Sequence, residues 1–236
     1  RSTGTGNDSR RISLIAGLLF LATFVTSIPA AILYDPILGD AGFILGVGSE
    51  ARVTVGAVLE LLLIAANIGT ALVLYPVLRR QSEVAALGWV SARIIESVFI
   101  AVGQIAMLAM VTLRQESTAD AAVLSAIGDS LVAIHDWTFR IGPGLVVGIG
   151  NGLLLGYLMF KSGLVPRGMS VLGLVGGPLL FVSGVLVVLG GIDQGSLAKA
   201  VMAIPEILWE ASLTLYLIFK GFRPSPVLEQ GEEGSA

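Results

Sequence analysis

Six long apolar runs divide this chain, and short stretches holding most of its charged residues separate them. They are Ile12 to Leu33 (ISLIAGLLFLATFVTSIPAAIL), Val53 to Leu78, Leu87 to Leu113, Asp136 to Lys161, Met169 to Leu189 and Leu197 to Phe219. At roughly 1.5 Å of rise per residue, each is long enough to cross the roughly 30 Å hydrocarbon core of a bilayer as a helix, given modest tilt. Ala119 to Ile134 is patterned differently. Val123, Leu124, Ile127, Leu131 and Ile134 share a face while Asp120 and Asp129 fall elsewhere, which predicts a helix lying on the membrane surface or an outer extension of the fourth span. Tyr34 to Ala51, with Asp35, Pro36, Asp40 and several glycines, reads as a loop carrying a short re-entrant or interfacial turn. Residues 1–11 read as a loose polar tail, and residues 223–236 as a disordered acidic tail. The pattern therefore predicts an all-α integral membrane protein. One transmembrane domain spans residues 12–222, a bundle of about six helices with an extra amphipathic interfacial helix before the fourth.

The fourth run has a second pattern laid over the first. Gly144, Gly148, Gly152 and Gly156 recur every four residues, which stacks them on one stripe of a helix and leaves a groove for a neighbouring backbone. In water each interior glycine costs about 1 kcal/mol relative to alanine. In lipid the backbone must satisfy itself in any case, and close packing compensates for the missing side chains. The stripe predicts a helix packed at the centre of the bundle. The uncharged fifth run, with Gly173, Gly177 and Pro178, reads as a lipid-facing packing helix.

Composition narrows the functional classes. Hydrophobic residues make up 55% of the chain and charged ones 13%, and a soluble domain carries about 25% charged residues. The absence of cysteine removes thiolate metal sites, disulfides and cysteine nucleophiles, and one histidine cannot build a three-histidine zinc site or bis-histidine haem. No metal site and no cofactor is predicted. A net charge of -3 without clustered Lys and Arg argues against nucleic acid. The partners expected are the lipid bilayer and a small-molecule or lipid ligand, and the pattern is compatible with an oligomer.

Fixed positive charges set an orientation. Arg1, Arg10, Arg11, Arg79, Arg80, Lys161, Arg167, Lys220 and Arg223 make nine on one side, against Arg52, Arg114 and Lys199, three on the other. The positive-inside rule then places both termini in the cytoplasm and makes the number of spans even. That count needs the first run kept as a span, although its basic start and small residues near Ser27 to Ala31 also suit a signal peptide.

The remaining charges fall inside the runs, where each costs on the order of 3 kcal/mol at the bilayer centre and needs a partner or a purpose. Glu96 and Glu210 come out near the midplane, Arg93 somewhat toward the cytoplasm, Glu60 and Glu206 toward the outside, and Asn67 and Asn151 at the central level. Arg93 can pair with Glu96 one turn on; Glu206 and Glu210 share a face of the sixth run, where Pro205 interrupts the helix. Four interior carboxylates against one guanidinium predict a shared polar cluster whose surplus is protonated, holds a cation or faces water. His135 and Asp136, with Arg140 one turn away, form a second candidate group nearer the outer interface. They are the only catalytic candidates, as acid and base, and no nucleophile accompanies them: Ser97 and Ser130 lie in no recognisable elbow. An interfacial capping network anchored by Trp137 is the structural alternative.

The runs HDWTFRIGPGLVVGIGNGLLLGYLMFKSGLVPR (His135 to Arg167), ANIGTALVLYPVLRR (Ala66 to Arg80) and RISLIAGLLFL (from Arg11) resemble the bacterial membrane family catalogued as domain of unknown function forty-three eighty-six, over nearly the whole chain from Arg11 to about Phe222. The resemblance implies a polytopic helical protein of the bacterial inner membrane and supplies no activity. Arg93, Glu96, His135, Asp136 and Glu210 match its polar pattern. The expected function is binding or moving a small solute or lipid-like molecule through a buried carboxylate-rich cavity. The alternatives are an intramembrane enzyme acting on a lipid or isoprenoid through His135 and Asp136, and a non-catalytic assembly or sensor subunit.

Overall fold

A computed structural model describes residues 3–39 and 41–233. Arg1 and Asp40, and the end of the acidic tail, lie outside the described residues. Among the described residues six helices are long and apolar enough to cross a membrane: Asn7–Leu38, Glu50–Leu78, Glu83–Glu116, Ala121–Ser162, Arg167–Val188 and Leu197–Phe219, the first to sixth spans below. Each span packs on its sequence neighbours, and the first closes on the sixth, so the six form a ring. Outward-facing Leu61, Leu62, Leu72, Ile94, Ile95 and Ile105 are each about half exposed or more, an apolar exterior that a bilayer satisfies and water does not.

Several boundaries differ from the sequence reading. The first helix starts at Thr3, so the tail before Arg11 is helical rather than loose. Arg10 explains why it is fixed: its guanidinium donates to the carbonyls of Leu217 (3.0 Å) and Ile218 (2.6 Å), capping the end of the sixth span. The first helix also runs on to Leu38, which shortens the outer loop to a 3-10 turn, Ala41–Leu45. Arg114 holds that loop by donating to the carbonyls of Phe43, Gly46, Val47 and Gly48, and pairs with Glu50 at 3.0 Å. Ala121–Ser162 is one continuous helical run, so no separate interfacial helix precedes the fourth span. The sixth helix likewise passes through Pro205 without a break. In place of a disordered tail, a helix Pro226–Glu233 follows, and Val227 is buried against the core while its carbonyl accepts from Arg80.

The glycine stripe meets the fifth span. A Cβ on Gly148 would lie 2.6 Å from the Gly177 carbonyl oxygen, one on Gly152 would overlap Gly177 itself, and one on Gly156 would come within 3.2 Å of the Leu174 nitrogen. Gly173 and Gly176 face the other way, the first against Trp209 and the second against the Glu206 backbone. The fifth span is thus wedged between the fourth and sixth by its own glycines and is more than a lipid-facing helix. The fourth span is wound unusually to suit this. Gly142–Val146 and Gly148–Leu155 are π-helical, between α-helical turns on either side. A four-residue repeat overshoots a 3.6-residue turn and falls short of the wider i→i+5 turn, so alternating the two keeps the stripe straight.

Gly152→Ala should therefore lower stability by about 1–3 kcal/mol through overpacking. Gly168→Ala, where a Cβ meets nothing within 4 Å, should be neutral or slightly stabilising. Denaturant titration of both variants in mixed micelles checks the contrast.

Candidate functional site

Inside the ring, in the half of the bundle away from both termini, lies a cavity of about 680 Å³. Every span contributes to its wall, the fifth through Leu180. Of the polar residues singled out in the sequence, Glu60, Asn67, Arg93, Glu96, Glu206 and Glu210 line it, as do His135, Asp136 and Arg140 nearer its mouth. Asn151 sits just behind the wall. Gly144 lines the cavity, while Gly148, Gly152 and Gly156 are turned into helix packing.

At the floor, charge is compensated by short helix-to-helix bonds. Arg93 pairs with Glu96 at 2.7 Å one turn along the third span, and its other terminal nitrogen donates to the Asn67 side-chain oxygen on the second. Asn67 returns a bond from its amide nitrogen to Glu96 at 3.2 Å, so three side chains close a ring. Arg93 and Glu96 are only 2% and 6% exposed, a depth at which either alone would be costly. The Phe20 ring lies 6.0 Å from the Arg93 guanidinium carbon and seals the side toward the termini.

A second network joins the third, fourth and sixth spans. Asn151 donates to Glu210 at 2.5 Å, accepts from the Trp89 indole at 3.0 Å on its side-chain oxygen, and accepts from the Trp209 indole at 2.9 Å on its backbone carbonyl. Both indole N–H groups are thereby satisfied in a fully buried layer, as buried tryptophans require. On the second span Glu60 accepts from the Tyr34 hydroxyl at 3.2 Å.

Lys199, an outer-loop charge by its sequence position, is buried in the cavity wall. It is 6% exposed, and its ammonium donates to the Gly144 carbonyl (3.0 Å) and the Ser183 hydroxyl (2.9 Å). A signal for this exists in the sequence: Lys199, Glu206 and Glu210 follow at intervals of seven and four on one helical face. With Lys199 added, and exposed Asp35 and the Arg140–Asp136 pair at the mouth set aside, the cavity holds four carboxylates, Glu60, Glu96, Glu206 and Glu210, against two cations, Arg93 and Lys199. Glu206 is the exception to the pairing. It is 2% exposed, and neither carboxyl oxygen has a hydrogen-bond partner. Gly152 makes room for it, since a Cβ there would lie 2.5 Å from Glu206 Oε2.

His135 and Asp136 do not form a dyad. Asp136 bonds Arg140 at 3.4 Å, and the Arg140 guanidinium lies 5.1 Å from the Trp137 ring centre, as an interfacial network would have it. His135 packs edge-on to Tyr34, with ring centres 5.4 Å apart, and its Nδ1 is buried without a partner. Among the described residues no group of three or more His, Asp or Glu side chains is arranged to hold a metal ion.

Removing one partner of the floor triad should cost far more than removing two. Arg93→Met is expected to lose about 3–5 kcal/mol by leaving Glu96 buried and unpaired, and Arg93→Met with Glu96→Gln should recover most of it. A double-mutant cycle by denaturant titration measures the difference.

No curated protein and no solved structure matches this chain. One family model does, described as Domain of unknown function (DUF4386), and it covers residues 15–221, nearly the whole membrane domain. The chain therefore belongs to that family.

Proposed function

We propose that this integral membrane protein binds or moves a small solute or lipid-like molecule in the polar cavity between its spans, exchanging protons or a cation through Glu96, Glu206 and Glu210, with Arg93 setting the local charge. The observation that carries the reading is a cavity of about 680 Å³, the size of a small-ligand site, walled by more carboxylates than cations. A cluster that served only as helix glue would be satisfied internally; here Glu206 is not.

The setting we propose is the bacterial cytoplasmic membrane with both termini inside. The nitrogen of Arg223 bonds the Leu164 carbonyl and Arg80 bonds Val227, so the basic loops and the carboxyl tail meet at one end of the ring. The cavity then opens toward the outer face. Catalysis by His135 with Asp136 is the weaker reading, since the two are not hydrogen-bonded and Asp136 is engaged by Arg140.

The lack of native cysteine makes a direct test simple. Ala203→Cys, in the cavity wall, should react with water-soluble methanethiosulfonates, and Ile105→Cys, on the lipid face, should not. Normalised to a free thiol, the cationic reagent should outpace the anionic one by about tenfold or more, because surplus carboxylates concentrate cations. Between about pH 8 and about pH 5 that ratio should fall, since carboxylates lose negative charge as they take up protons. Glu210→Gln should lower the ratio and flatten its pH dependence. An Ala203→Cys thiol no more reactive than the lipid-facing control, or a ratio indifferent to pH, would remove the proposal.

A further inference from the structure

The ring is not equally closed along its length. The first and sixth spans are each 28% buried, against 39–50% for the other four. Near the termini they are clamped: Arg10 caps Leu217 and Ile218, Gly17 approaches Ile218 so closely that a Cβ would lie 2.8 Å from its side chain, and Ala16 and Phe20 share a core with Leu213 and Leu217. Beyond Phe20 the same two helices border the cavity instead of filling it. Thr23, Ser27 and Ala31 on the first, and Ala200, Ala203 and Ile207 on the sixth, line the space between them. Ile28 and Ile207 belong to this lining yet are 55% and 54% exposed. A wall residue that is also half exposed on a membrane-facing helix marks an opening to the side, at the depth of the acyl chains.

Two features of that cleft define what fits it. Its lipid-facing part carries Ile28 and Ile207, whereas its inner end is lined by Glu206, whose two oxygens are buried and unpartnered and lie against Gly152 behind the wall, followed one turn on by Glu210. A volume of about 680 Å³ holds a head group with part of one chain and leaves the rest of the chain in the cleft. Two vacant acceptors ask for N–H donors, which a primary ammonium supplies and a quaternary ammonium lacks. The geometry points to sideways access from the bilayer, between the first and sixth spans, for a single-chain amphiphile whose primary ammonium head draws the Glu206 carboxylate out of its niche at Gly152 and is bound by it. This inference rests on the ligand-binding reading of the cavity and specifies both its ligand and its route. The other charged groups of the cavity are accounted for: Glu210 by Asn151, Lys199 by Gly144 and Ser183, Arg93 by Glu96 and Asn67, Glu60 by Tyr34, and Asp136 by Arg140, while Asp35 is exposed at the mouth.

The test uses the full chain in phosphatidylcholine nanodiscs, which contain no primary amine, with empty discs subtracted. Equilibrium dialysis compares dodecylamine, dodecyltrimethylammonium and propylamine. Dodecylamine should bind about tenfold or more tighter than its trimethyl analogue, the loss expected when charged hydrogen bonds are removed. Glu206→Gln should bring the two probes together. Ala200→Trp and Ala31→Trp, at the two rims of the cleft, should each weaken dodecylamine by a similar factor and leave propylamine within about twofold. The probe comparison needs no variant, so a poorly folded Glu206→Gln does not spoil it. Equal binding of dodecylamine and its trimethyl analogue overturns the assignment of Glu206. Propylamine bound as tightly as dodecylamine, with both rim variants inert, overturns the sideways route. Failure of every amine probe while the Ala203→Cys thiol still reacts as a solvated cavity group rejects this inference and keeps the cavity; failure of both rejects the cavity as well.

Discussion

The contact on which this architecture depends is the near-touching of the fourth and fifth spans at Gly152 and Gly177, where a single added methyl has nowhere to go. Helices in lipid gain nothing from hiding apolar surface from one another, so intimate van der Waals contact has to replace the hydrophobic effect. Glycine at both surfaces makes that contact available. It also does something a larger residue would prevent. By drawing the fifth span close, it leaves a niche at Gly152 that the Glu206 carboxyl fills, while Gly176 receives the backbone of the same residue. Packing and polar placement are here one arrangement: the position of an unpartnered carboxylate is set by which residues lack side chains.

The π-helical winding of Gly142–Leu155 belongs to the same arrangement. It widens the helix where the stripe runs, and it shifts the ladder to i→i+5 bonds. One such region, at Gly144, supplies the carbonyl that accepts from the Lys199 ammonium, on the edge of the cavity. Pi-type turns are frequent at functional sites, and here the π-wound stretch borders the cavity through Gly144.

Much of this is legible in the sequence. Apolar runs mark six spans, and the three-residue interval between Arg93 and Glu96 marks their pair, since both follow from periods that a helix imposes. That Asn67, Glu96 and Glu210 fall near the midplane, with Glu60 and Glu206 displaced to one side of it, follows from rise per residue alone. What stays hidden depends on contacts between helices. Arg10 lies in a stretch too polar to count as a span, and only the carbonyls at the end of the sixth helix explain why it is ordered. Lys199 looks like a loop charge because it sits near a span boundary; its helix begins just before it, capped by the Ser196 hydroxyl, and turns it inward. The continuity of the fourth span is equally obscure, because an amphipathic surface helix and an outer extension share one pattern. The π winding is not legible either: the four-residue glycine period selects a face, but it falls between the α and π turns and so does not say which of them the chain takes.

Among the described residues the cavity has a mouth away from the termini and no opening toward them. Toward the termini it is stopped by Phe20, by the Arg93, Glu96 and Asn67 ring, and by the Trp89, Trp209 and Asn151 layer beneath. These plugs are made of the bonds that compensate buried charge, so opening a path through them means separating groups whose isolation costs several kcal/mol each. Binding through the mouth, or by the sideways route proposed above, needs no such rupture. Movement across the whole thickness does, and it becomes feasible only if a ligand or a proton takes over the compensation as the pairs part. A carrier built on this frame would therefore have to couple passage to charge transfer at Glu96 or Glu210, whereas a receptor could leave both pairs intact.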